Sequence, residues 1–261
     1  MISITLPSLY PDSVHHTLDN LERTTRGPYE VILVGWSQIL RSNVVNVAEV
    51  EPRGCAHAHH LAAQHARGDY LLAFADDHEM VDGWDEIALT EFETKRQKHW
   101  PFALGLRGAH SGHVGSNFGY YYPYFPLMTR ADVRGTGWIG PDYRAGFGDS
   151  DLAMRVWFAG GRCEWSDAGL LRPTSADKRK AAQPEGHRPE AAYTKEDLAL
   201  FISRWAPIYG NGWSSGGRSW DAGIDDFNVD LRPEANQHLA DGNTFCFNDP
   251  DFMRRAVRMI S

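Results

Sequence analysis

The sequence predicts an α/β fold whose central sheet is mostly parallel and flanked by helices. Two observations carry that expectation. Short apolar runs recur as ISITLP (2–7), YEVILV (29–34), VVNVAEV (44–50) and DYLLAFA (69–75), each of a length that suits one strand. Segments with helical spacing alternate with these runs across short connections, as in strands joined by crossover helices. Runs as continuously apolar as YEVILV belong to sheets covered on both faces.

The first run stops at Pro7, which is expected to end the strand in a loop. Val14, Leu18 and Leu21 follow on one helical face, with Asp12 or Ser13 as N-cap. The second strand meets Gly35, and the third covers 44–50. Gly54 precedes an Ala- and His-rich helix over 55–66, closed by Gly68. The fourth strand runs directly into Asp76-Asp77. Ligands of parallel sheets sit beyond the carboxyl ends of the strands, so this acidic pair lies where a site is expected. A helix is predicted over 84–99. Residues 100–145 are rich in Gly, Tyr and Pro without periodicity, which marks either a functional segment or a set of short strands. Residues 149–159 read as a helix opened by Asp149 or Ser150 and closed by Gly160-Gly161, and 162–171 read as a returning strand. A polar linker over 174–190 leads to an amphipathic helix over 194–206, capped by Thr194, and a last helix starts near 249. This divides the chain into a core over 1–173 and a C-terminal extension over 174–261, made of helix 194–206 and a loop-rich tail.

The 261 residues carry 26 basic and 34 acidic side chains, a net charge of −8. That balance argues against a nucleic-acid-coating role. An acidic protein handling an anionic ligand needs a metal ion or local arginines to neutralise it. Cys55, Cys163 and Cys246 are far apart and lack any CxxC spacing, which reads as reduced and free of disulfides. No signal peptide and no apolar stretch approaching 18 residues stands out, so a cytoplasmic protein without a membrane span is expected. A homo-oligomer stays open.

Asp76 and Asp77 offer hard oxygens to a divalent cation, and His78 could assist; the competing reading is a pair that caps the next turn. Asp149 follows the glycine-rich AGFG and suits a general base, against the reading of an ordinary N-cap. His57, His59, His60 and His65 suggest a zinc cluster, although no Cys or Asp completes a ligand spacing, and a solvated helix face is the alternative. The helix N-terminus after Arg53 and Gly54 suits an anion. Tyr120, Tyr121, Tyr122, Tyr124 and Trp138 offer stacking faces or core packing equally well. Trp36 offers a further face, with core or surface packing the stronger reading. No Walker loop, dinucleotide G-x-G-x-x-G, H-E-x-x-H or G-x-S-x-G occurs, which disfavours kinases, dehydrogenases, zinc proteases and serine hydrolases.

Three segments together resemble the family-two inverting glycosyltransferases of the GT-A fold. ISITLPSLY resembles their opening strand. EPRGCAHAHHLAAQHARGDYLLAFADDHEMVDGW resembles the segment that ends in their D-x-D motif and a P-G-W-like turn. GFGDSDLAMRVWFAGGR resembles their G-x-E-D-x-D-L helix. The likeness spans residues 2–172 and implies a GT-A core that binds a nucleotide-diphosphate sugar with Mn²⁺ or Mg²⁺ and transfers the sugar to a glycan or other hydroxyl acceptor. It implies Asp77, with Asp76 or His78, at the metal, and Asp149 as base. Pro7, Ser8, Tyr10, Arg53, Gly54 and Asp76 are expected at the donor, and Asp151 and Arg155 in a structural role. The sequence departs from the family where Ala75 replaces the first acid of D-x-D, Gly148 the glutamate before the base, and His60 the usual Asn. It also departs where Arg172 replaces a strand-end histidine and Val34-Gly35-Trp36-Ser37 a carboxylate-bearing loop. These losses keep a degenerate saccharide- or partner-binding protein in view. A sugar-nucleotidyltransferase is disfavoured, because the loop Pro7-Ser8-Leu9-Tyr10-Pro11 lacks glycine, lysine and arginine.

Overall fold

A computed structural model of the chain describes residues 1–35, 38–49, 51–97, 99–108, 116–117, 120–144, 146–173 and 193–209. The expectations for Trp36, for the linker at 174–190 and for the helix from 249 lie outside the described residues. In chain order the elements are β1 (Ile2–Ser8), α1 (Pro11–Thr24), β2 (Tyr29–Gly35), β3 (Val44–Ala48), α2 (Cys55–His65), β4 (Tyr70–Ala73), β5 (His78–Met80) and α3 (Trp84–Arg96). They continue as β6 (Phe102–Gly108), β7 (Ser116–Asn117), β8 (Tyr120–Tyr121), β9 (Pro126–Thr129), α4 (Arg130–Thr136), α5 (Gly148–Phe158), β10 (Arg162–Pro173) and α6 (Thr194–Tyr209).

The described strands form an eight-stranded sheet in the order β3-β2-β1-β4-β9-β6-β10-β5, with β7 and β8 paired beside it. β3, β2, β1 and β4 run parallel, as do β6 and β10, while β9 and β5 are antiparallel to their neighbours. Core residues fill both faces, as the continuous apolar strands require. Val31 and Leu33 of β2 pack with Leu18 and Leu21 of α1 and Phe92 of α3. Ile32 and Val34 pack in the other layer with Ala62 of α2, Leu152 of α5 and Trp205 of α6.

Several boundaries differ from the sequence expectation, each for a local reason. β1 continues through Pro7 to Ser8, because its ladder with β4 ends at Thr5–Ala73 and Pro7 has no ladder partner on that flank. α1 starts at Pro11, not at Asp12 or Ser13, and Tyr10 is an N-cap without a side-chain cap bond. A proline at the first helical position loses only an N–H that would have no helical partner. β3 and β4 are shorter than their apolar runs, and α3 stops at Arg96. β10 extends to Pro173, where its last residues pair with β5. Residues 100–145 contain β6 to β9 and α4, the short-strand alternative, and α4 opens with a capping box between Thr129 and Asp132. α6 runs past Arg204 through Pro207 to Tyr209, with Ile208 held in the core.

α6 is anchored through Asp151 of α5, whose side chain is 1 % exposed. Its carboxylate accepts from Tyr143 Oη at 2.9 Å, Arg155 Nε at 2.9 Å, Arg204 Nη1 at 3.0 Å and Trp205 Nε1 at 2.8 Å. Burial pushes the Asp151 carboxyl up, but the Arg155 and Arg204 guanidiniums overcome it and hold it below the usual carboxylate range. Asp151→Ala leaves the buried Tyr143 and Trp205 donors without this acceptor, while the partly exposed Arg155 and Arg204 keep bonds to the Thr136 and Trp138 carbonyls and to Asp142. It is expected to lower unfolding free energy by about 1–3 kcal/mol in chemical denaturation, the cost of buried donors left without a partner.

Candidate active site

The carboxyl ends of β1 and β4 converge on one group of side chains. Ser8 Oγ donates to Asp76 Oδ2 and accepts from the Tyr10 N–H at 3.1 Å. The backbone carbonyl of Asp76 takes a bond from Thr17 Oγ1 at 3.3 Å. Ser8, Tyr10 and Asp76, expected at the donor, are therefore brought together, while Pro7 lies in β1 opposite Val34. Asp77 Oδ1 pairs with His78 Nδ1, and the His78 ring meets the Phe125 ring at 4.9 Å. Asp76, Asp77 and His78 are all half-buried on the turn that leads into β5.

Beside this turn lies a cavity of about 200 Å³ lined by Ala75, His59, Tyr122, Tyr124, Phe147 and Asp149 among others. Ala75 thus places the missing first acid of the metal motif as a methyl group on the cavity wall. His59 Nδ1 lies 2.8 Å from Thr5 Oγ1, and burial pushes its pKa down to about 3, so its ring is neutral near pH 7. Tyr120, Trp138 and Tyr122 pack in the core with Tyr124 against them, and Tyr122 and Tyr124, ring centroids 5.0 Å apart, also line the cavity. The side chain of Tyr121 lies outside the described residues.

Asp149 enters this cavity from the first turn of α5. The N-cap is Phe147, in the left-handed region at φ 64, not Asp149 or Ser150. A non-glycine residue there costs of order 1–3 kcal/mol and persists only where packing over-determines it. Phe147 is 2 % exposed, and its ring lies 5.3 Å from that of Phe201 in α6. Desolvation raises the Asp149 pKa to about 7, opposed by a 2.8 Å bond from the Ser150 N–H.

The departure at Gly148 has a steric cause. A Cβ there would lie 2.7 Å from Ile139 Cγ2 and 3.0 Å from Ala56 Cβ, so α2 and the 139 segment fill the space a glutamate would need. Gly54, at φ 107, is a second enforced glycine: its Cβ would lie 2.4 Å from Arg144 O, which accepts from the Cys55 N–H at 3.2 Å. The Arg53-Gly54 turn therefore packs on the segment that leads to Asp149. The histidines do not converge. His57 Nδ1 lies 2.7 Å from Glu49 Oε1 and His57 Nε2 lies 3.3 Å from Arg53 Nη1, while His59 turns to Thr5. Among the described residues no three His, Cys, Asp or Glu side chains group to hold a metal, which removes the zinc reading.

Sequence reasoning missed Asp197 of α6, which is 4 % exposed. It accepts from the Arg144 N–H at 3.0 Å and the Gly146 N–H at 3.0 Å. Nothing local distinguishes it from any acidic residue in a first helical turn.

No protein-family model and no curated protein sequence matches the chain. Solved structures do match. One is the mannosyltransferase PcManGT from Pyrobaculum calidifontis in complex with GDP-Man and Mn²⁺, at TM-score 0.55 and 16 % identity over 99 % of this chain and 73 % of that one. A second is S. aureus TarS in complex with UDP-GlcNAc, at TM-score 0.55 and 12 % identity over 99 % and 79 %. A third is GalNAc-T7 with UDP, GalNAc and Mn²⁺, at TM-score 0.61 and 12 % identity over 100 % and 57 %. The chain has the GT-A fold. Within that fold the Ser8-Asp76 group and the Asp149 cavity share the carboxyl edge of the sheet. No helix among the described residues is long and apolar enough to cross a membrane.

Two predictions follow from the packing and charge of this cavity. Gly148→Glu, which restores the family residue, is expected to destabilise the protein by about 1–3 kcal/mol through overpacking, read as a lower Tm. The raised Asp149 pKa means that the folded state favours the protonated acid. The stability this contributes is present below the unfolded value near 4 and lost as pH rises through about 7. Asp149→Asn is therefore expected to be more stable than wild type at pH 8, on the order of 2 kcal/mol, with no difference at pH 4, measured by denaturant titration at both pH values.

Proposed function

We propose that the chain is a glycosyltransferase that moves a sugar from a nucleotide-diphosphate sugar to an acceptor hydroxyl with inversion, and that Asp149 is its general base. The observation that carries this is a desolvated carboxylate on an aromatic-walled cavity at the carboxyl edge of a GT-A sheet. A base whose pKa lies near the working pH can accept a proton and still drive its transfer.

Asp149 takes the proton from the acceptor hydroxyl as that oxygen bonds to the anomeric carbon. The bond from the anomeric carbon to the phosphate oxygen breaks, and the diphosphate leaves with the electron pair. Attack and departure on opposite faces invert the centre. Tyr122 and Tyr124 line the same cavity as Asp149 and offer ring surface to the sugar or the acceptor. Ser8 fixes the Asp76 carboxylate toward the end of β1.

The turn at 76–78 fits a divalent cation in part. Asp76 and Asp77 supply hard oxygens and His78 an imidazole, but among the described residues no three such side chains converge. A Mg²⁺- or Mn²⁺-type site would therefore draw further ligands from the donor phosphates and water. When bound, the cation supplies charge to the departing diphosphate. The proposal rests on these residues and on neighbours whose structures contain nucleotide sugars and Mn²⁺.

Asp149→Asn is expected to leave donor binding intact and to lower kcat by about 10²–10⁴-fold. The wild-type rate is expected to rise with pH through about 7 as Asp149 deprotonates. Full activity in Asp149→Asn, measured by nucleotide release, would remove the base assignment.

A further inference from the structure

We propose that α6 is a clamp that aims Asp149, and that Asp197 is its positioning residue. The proposal rests on Asp149 being the base. One face of α6 carries Asp197, Phe201, Arg204 and Trp205, at i, i+4, i+7 and i+8. These residues meet the segment around Asp149 in chain order. Asp197 holds the N–H groups of Arg144 and Gly146. Phe201 packs on Phe147. Arg204 and Trp205 hold Asp151. Asp149 lies between the second and third of these attachments.

Asp197 is the informative member. An acid in a helix's first turn ordinarily serves its own helix end. Asp197 is instead buried, and its carboxylate accepts from backbone amides more than fifty residues earlier. From the other side, Arg144 O accepts from Cys55 at the start of α2. The backbone entering the strained Phe147 turn is thus pinned between two helices, and the direction of Asp149 follows from that turn. A misplacement of about 1 Å at a reacting group can cost 10²-fold in rate, so a base presented from such a turn gains from a fixed support.

The test needs no substrate. The Arg144 and Gly146 N–H groups share Asp197 Oδ2, so Asp197→Ala removes the acceptor of both, and Glu196→Gln removes a charge from the same turn on the exposed side. The ¹³C carboxyl signal of Asp149, assigned by its loss in Asp149→Asn, is followed through pH, together with amide exchange over 146–150. Cys55, His59, Tyr122 and Tyr124 are the other titratable side chains on the cavity and are unchanged in both variants. In Asp197→Ala the midpoint is expected to fall by at least about one pH unit from its wild-type position near 7, as water reaches the carboxylate. Exchange over 146–150 is expected to quicken by about 10-fold or more. Glu196→Gln is expected to match wild type. Should Asp197→Ala not fold, Phe201→Leu removes the ring contact on Phe147 and is expected to shift the midpoint in the same direction. A wild-type midpoint and wild-type exchange in the folded variant would overturn the clamp. Activity of Asp149→Asn tests the base assignment separately.

Discussion

The structure turns on how a strained N-terminal turn of α5 is held. Phe147 occupies a left-handed conformation that a free chain would leave, and its neighbours prevent that. Asp197 fixes the backbone before it, Gly54 and Cys55 press on the Arg144 carbonyl, and Asp151 secures the helix after it. Asp149 sits between these supports, so its entry into the cavity is a consequence of packing at several sites. A carboxylate placed this way is costly to desolvate, and its pKa near 7 is the chemical trace of that cost.

The parallel strands decide where this matters. β1 and β4 end side by side, and the short bond between Ser8 and Asp76 joins their loops into one surface. The cavity wall continues from Ala75 on that surface to Asp149 on α5. The Asp76 and Asp77 carboxylates and the desolvated Asp149 are thus supplied from different elements at one edge of the sheet, the division of labour that the proposed sugar transfer requires.

Much of this was legible in the sequence. Buried parallel strands announce themselves as apolar runs, and the alternation with helices gave the fold class. Asp77 and Asp149 stand out in the sequence through the order of three segments, not through composition; the structure puts Asp149 on the cavity wall, and the roles of both belong to the proposal. β5 is three residues long and β9 four, too short for periodicity to identify. Pro7 misled because the loss of a ladder partner on one flank is a property of the sheet, not of the strand. The glycine at 148 looked like a lost acid, whereas the packing of Ala56 and Ile139 makes it a necessity. Asp197 was invisible because its significance lies wholly in contacts across more than fifty residues.

Binding and activation of a nucleotide-diphosphate sugar at this edge is tested most directly by nucleotide release and thermal shift on UDP-, GDP-, dTDP- and CMP-linked sugars, with and without Mn²⁺, in wild type and Asp77→Ala. Slow release and a Mn²⁺-dependent shift are expected with one donor, both lost in Asp77→Ala. Absence of release and of any shift across the whole panel would contradict it and favour a GT-A chain that has kept the fold and lost the reaction.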